Sequence, residues 1–184
     1  MTFPQYLKRM EEVVQQEVRP APYDQTDYHQ YAKLNLSRTK RWLQKGQLLP
    51  ELIDAVKALQ TPQKWLVITE PWCGDAAHSV PFIALLAELN PLITLSMEHR
   101  DAEPFRIEQY LTQGSKSIPK WIIQNAEGED LWVWGPRPRP IQAQFEAWKA
   151  AELSFDAIKE EIQKVYNEDA GKSLQKELLN FLLA

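Results

Sequence analysis

Apolar residues recur at three- and four-residue intervals through the first third of the chain. Phe3, Tyr6, Leu7, Met10, Val13 and Val14 make one helical stripe. Pro20 and Pro22 interrupt it. Asp24 or Thr26 is placed to cap a second helix running to Lys45, with Gly46 as its stop. Pro50 opens a third helix, whose buried face carries Leu52, Ile53, Val56 and Leu59. At Lys64 the period changes. Trp65 to Thr69 is a short β-rich run of the kind found in a buried central strand. A helix follows from Cys73, with Val80, Phe82, Ile83, Leu85 and Leu86 as its apolar residues. Leu92 to Met97 reads as a second strand and Phe105 to Leu111 as a short helix stopping at Gly114. Lys120 to Gln124 and Leu131 to Trp134 read as two strands joined by a tight turn at Asn125 to Gly128. After a proline elbow, Gly135 to Pro140, the pattern is helical to Ala184, with a break at Asp169 to Gly171.

Two strands joined through a helix should be parallel, and two joined by a tight turn antiparallel. The expectation is an α/β fold: a mixed four-stranded sheet with helices on both faces. The chain divides into an N-terminal helical extension (1–62), a core (63–150) and C-terminal helices (151–184), packed as one compact unit.

Composition narrows the function classes. A chain of 184 residues that is 44% hydrophobic, with seven tryptophans, can bury a substantial core. A net charge of -4 argues against nucleic acid as the main partner, because phosphate binding needs a basic face. No apolar run reaches the length of a membrane span, and Met1 to Arg19 lacks the apolar core of a secretory signal. The single cysteine cannot form an internal disulfide, which points to a reducing compartment, the cytoplasm. Three scattered histidines and one cysteine give no zinc pattern.

The candidate chemistry gathers at four places. Trp72-Cys73-Gly74-Asp75 stands directly after a buried strand and opens a helix; Pro81 lies eight residues after Cys73; Ser117-Ile118-Pro119 precedes the third strand; Gly135 ends the fourth. In this order they resemble the thioredoxin family over Lys64 to Trp148, and within it a bacterial subfamily with extra N-terminal helices. The resemblance implies a thioredoxin-like fold, a nucleophilic Cys73, a cis bond at Ile118-Pro119 that docks a partner backbone, and Gly135 beside the substrate groove. The departures are equally specific. Ala76 stands where the family has its second cysteine, and Asp75 where it has a proline. Val67 and Met97 replace the buried aspartate and its lysine. Turnover through an internal disulfide is therefore unavailable.

A thiol at a helix N-terminus is stabilised as thiolate by unpaired N–H groups and the helix dipole. Asp75 opposes this, and Arg137 and Arg139 are placed to offset it. Trp72, Gly74, Asp75, Ile118, Pro119, Gly135 and Arg137 are the expected binding residues around Cys73. Trp132 and Trp134 share one sheet face, either packed beneath a helix or, for Trp134, part of a rim around the thiol. His78 is expected to pack between helices, His99 to join a local salt bridge, and Arg38 to Lys45 to form a solvated basic face. Two functions stand ahead of a third, an enzyme of another class on the same fold such as glutathione transfer, which the C-terminal helices allow but no residue specifies. One is monothiol exchange with protein or glutathione disulfides, glutathione serving as the external resolving thiol and no other cofactor being implied. The other is a redox-inactive binding or assembly module.

Overall fold

The computed structural model describes residues 1–184. Seven helices and four strands follow in the order α1 (Phe3–Gln15), α2 (Thr26–Lys45), α3 (Pro50–Lys57), β1 (Gln63–Thr69), α4 (Gly74–Ala87), β2 (Ile93–His99), β3 (Lys120–Gln124), β4 (Asp130–Trp134), α5 (Arg139–Ala150), α6 (Phe155–Asp169) and α7 (Lys172–Leu182). The sheet order is β2-β1-β3-β4. β1 and β2 are parallel, while β3 is antiparallel to both β1 and β4. This is the mixed four-stranded α/β sheet expected from the chain pattern, and the thioredoxin-like arrangement that the motif resemblance implies.

Register explains the core. Trp65 and Val67 of β1 face Ile123 and Trp121 of β3, which in turn face Trp132 and Trp134 of β4. These side chains share one face of the sheet. There Trp65 and Trp121 meet edge to face at 4.8 Å, and Trp132 stacks on Phe181 of α7 at 5.1 Å. α4 packs on β1 and β2 from this side, and α2 packs over α4. Tyr6, Leu36, Leu52 and Leu174, from the terminal helices, belong to the same buried cluster as Val67 and Ile122.

The opposite face is covered by the β2–β3 connection. The helix expected at Phe105 to Leu111 is one 3-10 turn, Arg106–Gln109. Phe105 enters it at φ 55°, a left-handed conformation uncommon for a bulky residue. Ile107 is nonetheless fully buried beneath this turn, and Arg106 pairs with Glu98 of β2 at 3.0 Å. The C-terminal region is also broken twice rather than once, by a turn after Ala150 as well as at Ala170–Gly171. No helix is long and apolar enough to cross a membrane.

The helix starts differ in detail from expectation. α2 begins after Gln25 without a side-chain cap, so neither Asp24 nor Thr26 fills that role. α1 has a capping box that the stripe of apolar residues does not reveal, with Thr2 and Gln5 exchanging hydrogen bonds. Gly46 does end α2, but with φ at -62°. Its lack of a side chain matters for space: a Cβ there would sit 2.5 Å from the Trp42 carbonyl oxygen and 2.9 Å from the Phe82 ring.

Gly171 meets the same fully buried ring under a harder constraint. It has φ +77°, and an added Cβ would fall 2.5 Å from Phe82. Gly114 has the same φ with open space around it. Gly171→Ala should therefore lower stability by about 1–3 kcal/mol more than Gly114→Ala, since overpacking adds to backbone strain. Urea midpoints of the two variants measure this, and equal losses would contradict the packing at Phe82.

Candidate functional site

Cys73 is the N-cap residue of α4, with extended backbone and no capping bond from its own side chain. β1 delivers the chain to this point through Glu70-Pro71-Trp72, and the Cys73 N–H bonds back to the Glu70 carbonyl at 3.0 Å. The thiol faces the Ile118-Pro119 loop and donates to the Ile118 carbonyl at 3.3 Å. The Ile118-Pro119 peptide is cis. Cys73 and Ile118 are each only 6% exposed.

Gly135 closes the loop from behind. At φ +111° it lies so close that a Cβ would be 2.1 Å from the Pro119 carbonyl oxygen. Lys120 Nζ donates to the Gly135 carbonyl at 3.0 Å. Val67 and Met97 are register partners, both buried, so the layer beneath the thiol is apolar at these positions.

Asp75 is held on the far side of the first helical turn. Arg137 approaches it twice, Nη2 to Oδ2 at 2.8 Å and Nε to Oδ1 at 2.9 Å. The Tyr166 hydroxyl donates to Oδ1 at 2.8 Å. Burial raises the Asp75 pKa, and the Arg137 charge and these hydrogen bonds pull it back. Arg137 is itself fixed by Gln142 and by lying 3.9 Å over the Phe145 ring of α5.

The thiol is pushed up to about 12. Burial is the main cause and the Asp75 carboxylate adds to it, against smaller stabilisation from the Ala76 N–H, Arg137 and the Asp75 N–H. Burial therefore outweighs the helix N-terminus, contrary to the thiolate expected from position alone.

The remaining expected residues separate. Trp72 turns toward α2 and the end of β2, edge-on to Tyr28 at 5.7 Å with Arg100 4.8 Å over its ring. Gly74 abuts Arg38, which bonds to Asn35, and Asn35 holds the Pro71 carbonyl. Arg139 begins α5, where its N–H donates to Glu177 of α7. Trp134 is buried and bonded to the same Glu177, so the tryptophans of β4 lie under α7 and form no rim at the thiol. The basic stretch of α2 is not simply solvated. Lys40 pairs with Glu11 of α1, and Arg41 reaches Asn167 of α6.

His78 packs between helices. Trp42 Nε1–H donates to its Nδ1 at 3.0 Å, which leaves the proton on Nε2 to donate to Gln163 Oε1 at 3.2 Å. Tyr166 stacks on the ring at 4.6 Å. Burial brings the His78 pKa down to about 3. A second buried group, Glu70, receives His99 Nδ1 at 3.2 Å and the Arg100 N–H at 3.0 Å, with the Tyr23 hydroxyl at 3.5 Å. Tyr166, Gln163 and the Glu70 cluster were not found from sequence. The only local signal for Tyr166 was its place on the apolar stripe of α6, after Ile158 and Ile162.

A profile of the thioredoxin family matches residues 21–149. This chain belongs to the thioredoxin family. The match begins well before Lys64, so α2 and α3 fall within the family unit rather than outside it. Among solved structures, a Pseudomonas aeruginosa protein of unknown function is 17% identical, with 90% of this chain and 89% of that chain covered and a TM-score of 0.51. An HIV epitope scaffold is 13% identical over 99% and 98% of the two chains, with a TM-score of 0.57. At these identities the likeness concerns the fold alone. No curated protein matches the chain.

The neutral His78 has a measurable consequence. Because its folded pKa lies below the usual 6.5, its stabilising contribution is present above that value and is lost as pH falls toward 3. NMR at pH 5 should show His78 neutral with its proton on Nε2. The urea midpoint should fall less between pH 6.5 and 3 in His78→Gln than in the parent. A His78 that titrates at its ordinary value would contradict the buried Trp42–His78–Gln163 chain.

Proposed function

We propose that this protein is a redox-quiet binding module of the thioredoxin family, in which the Cys73 thiol serves as a structural hydrogen-bond donor. The observation that carries this reading is the sulfur's environment: buried and bonded to the Ile118 carbonyl, with burial raising its pKa. Thiol–disulfide exchange requires the thiolate. Burial pushes the thiol up to about 12, far above neutral pH, so the thiolate is strongly disfavoured at pH 7. Ala76 supplies no resolving sulfur, and the apolar Val67–Met97 pair supplies no proton carrier. The Ile118 carbonyl, already engaged by the thiol, is also less available to a docked backbone.

One observation favours monothiol exchange instead. The Asp75 and Ala76 N–H groups and Arg137 all act on the sulfur in the direction of the thiolate. In that reading the Cys73 thiolate attacks a disulfide, forms a mixed disulfide and expels the other half as a thiolate. An external thiol such as glutathione then attacks the mixed disulfide and restores the free thiol. The partners are then protein or glutathione disulfides, whereas a binding module needs no thiol in its partner.

Incubation of the folded protein with glutathione disulfide, followed by intact mass, separates the two. The module reading expects almost no adduct at neutral pH, rapid adduct formation after unfolding, and a folded Cys73→Ser variant. Adduct formation on the folded chain as fast as on the unfolded one would overturn that reading in favour of exchange.

A further inference from the structure

The two edges of the sheet are treated differently. At the β2 edge, the chain's first residue acts as a short added strand: the Met97 N–H donates to the Met1 carbonyl at 2.7 Å, and the Met1 amino group donates to the Met97 carbonyl at 2.9 Å. At the other edge, β4 pairs only with β3, and the outward-facing N–H and C=O groups of Leu131 to Trp134 have no partner from elsewhere in the chain. An open edge of this kind is a template for another strand. Natural edges are usually protected by a charge, a proline or a bulge along the strand. Here the only register irregularity is a bulge at Leu131, and the rest of the strand, Trp132 to Trp134, carries no charge or proline.

Side chains along the edge are also left over. Leu131 and Val133 are 45% and 42% exposed. Val133 faces Ile122 across the ladder, and Ile122 faces Leu66, so Val133 continues the apolar face of the sheet that the β2–β3 connection covers, while Leu131 is the extra residue of a bulge between the Trp132–Ile123 and Asp130–Gln124 pairs. Charge is polarised along the same strand. Glu127, Glu129 and Asp130 stand at its start, and Arg137 and Arg139 follow its end. Arg137 is committed to Asp75, whereas the Arg139 side chain makes no ion pair within the chain.

We propose that the β4 edge is a homodimer interface, at which a second copy adds its own β4 antiparallel to form a continuous eight-stranded sheet. The charge polarity selects this arrangement. Two strands in parallel would set acid beside acid and base beside base. Antiparallel pairing about a two-fold axis near Trp132 brings the acidic start of each strand toward Arg139, beyond the end of the other. The same axis brings the exposed Val133 of each copy toward the exposed Leu131 bulge of the other, twice by symmetry. The backbone groups of both edges are satisfied together. The interface is separate from Cys73 and holds under either reading of the thiol.

Sedimentation velocity of the full chain, over a wide concentration range and at low and high salt, tests this. The expected result is a concentration-dependent dimer that weakens with salt. Leu131→Lys and Val133→Lys should each weaken it by about tenfold or more, because each places two new charges in the paired strands. Arg139→Glu, at an exposed helix start, should weaken it mainly at low salt. Circular dichroism checks that each variant is folded, and hydrogen exchange of the parent should show β4 amides protected only at dimer-forming concentrations. A chain that stays monomeric throughout would overturn the proposal and leave the edge to a strand of another protein. A dimer unaffected by all three substitutions, or one without β4 protection, would overturn it as well.

Discussion

The first turn of α4 is removed from water while carrying a thiol and a carboxylate two residues apart, and the surrounding structure answers that constraint. The Asp75 carboxylate must be compensated, and both partners come from beyond the sheet: Arg137 from the elbow after β4 and Tyr166 from α6. Those bonds fix the approach of the α5–α6 pair to the core. Tyr166, once placed on Asp75, stacks on His78, and His78 links Trp42 of α2 to Gln163 of α6. A polar chain thus joins the N-terminal and C-terminal helices around the motif. Its members are satisfied, as buried polar groups must be.

Magnitudes decide the state of the sulfur. A helix N-terminus favours a negative charge by typically 0.3–1 kcal/mol, and up to about 2 in sheltered geometry. The rise of the thiol pKa from 9 to about 12 corresponds to something on the order of 4 kcal/mol against the thiolate. Desolvation with an adjacent carboxylate therefore dominates the dipole. In the proposed reading, the motif keeps the position of a redox thiol while burial disfavours the thiolate. Ala76, Val67 and Met97 are consistent with that outcome, because each is apolar where exchange would use a sulfur, an acid or a base.

Much of the fold was legible because it rests on local signals. The period change at Lys64, the Asn125–Gly128 turn and the paired prolines at Pro20 and Pro22 mark the elements without reference to distant residues. The thioredoxin family was legible from four short motifs in order. What escaped depended on contacts far apart in sequence. Tyr166 lies 91 positions from Asp75, and nothing in the pattern of α6 says which buried group its hydroxyl will meet. Gly46 looked like a helix terminator because glycine often is one, yet its necessity comes from Phe82. The segment Arg106–Gln109 is a 3-10 turn entered through a left-handed Phe105, a backbone state that the apolar spacing of Phe105 to Leu111 does not encode. The thiol's protonation was the hardest to read, since sequence shows the helix start but not the depth at which it is buried.

The central claim is that Cys73 is a protonated thiol in the native protein at neutral pH. Ultraviolet absorbance of the thiolate, followed against pH in the folded protein with Cys73→Ser as the blank, measures that state directly. The account predicts no thiolate signal below about pH 9, where an ordinary free thiol has already begun to ionise. A signal that appears at or below pH 7 would contradict it, and would mean that the helix terminus and Arg137 prevail over burial.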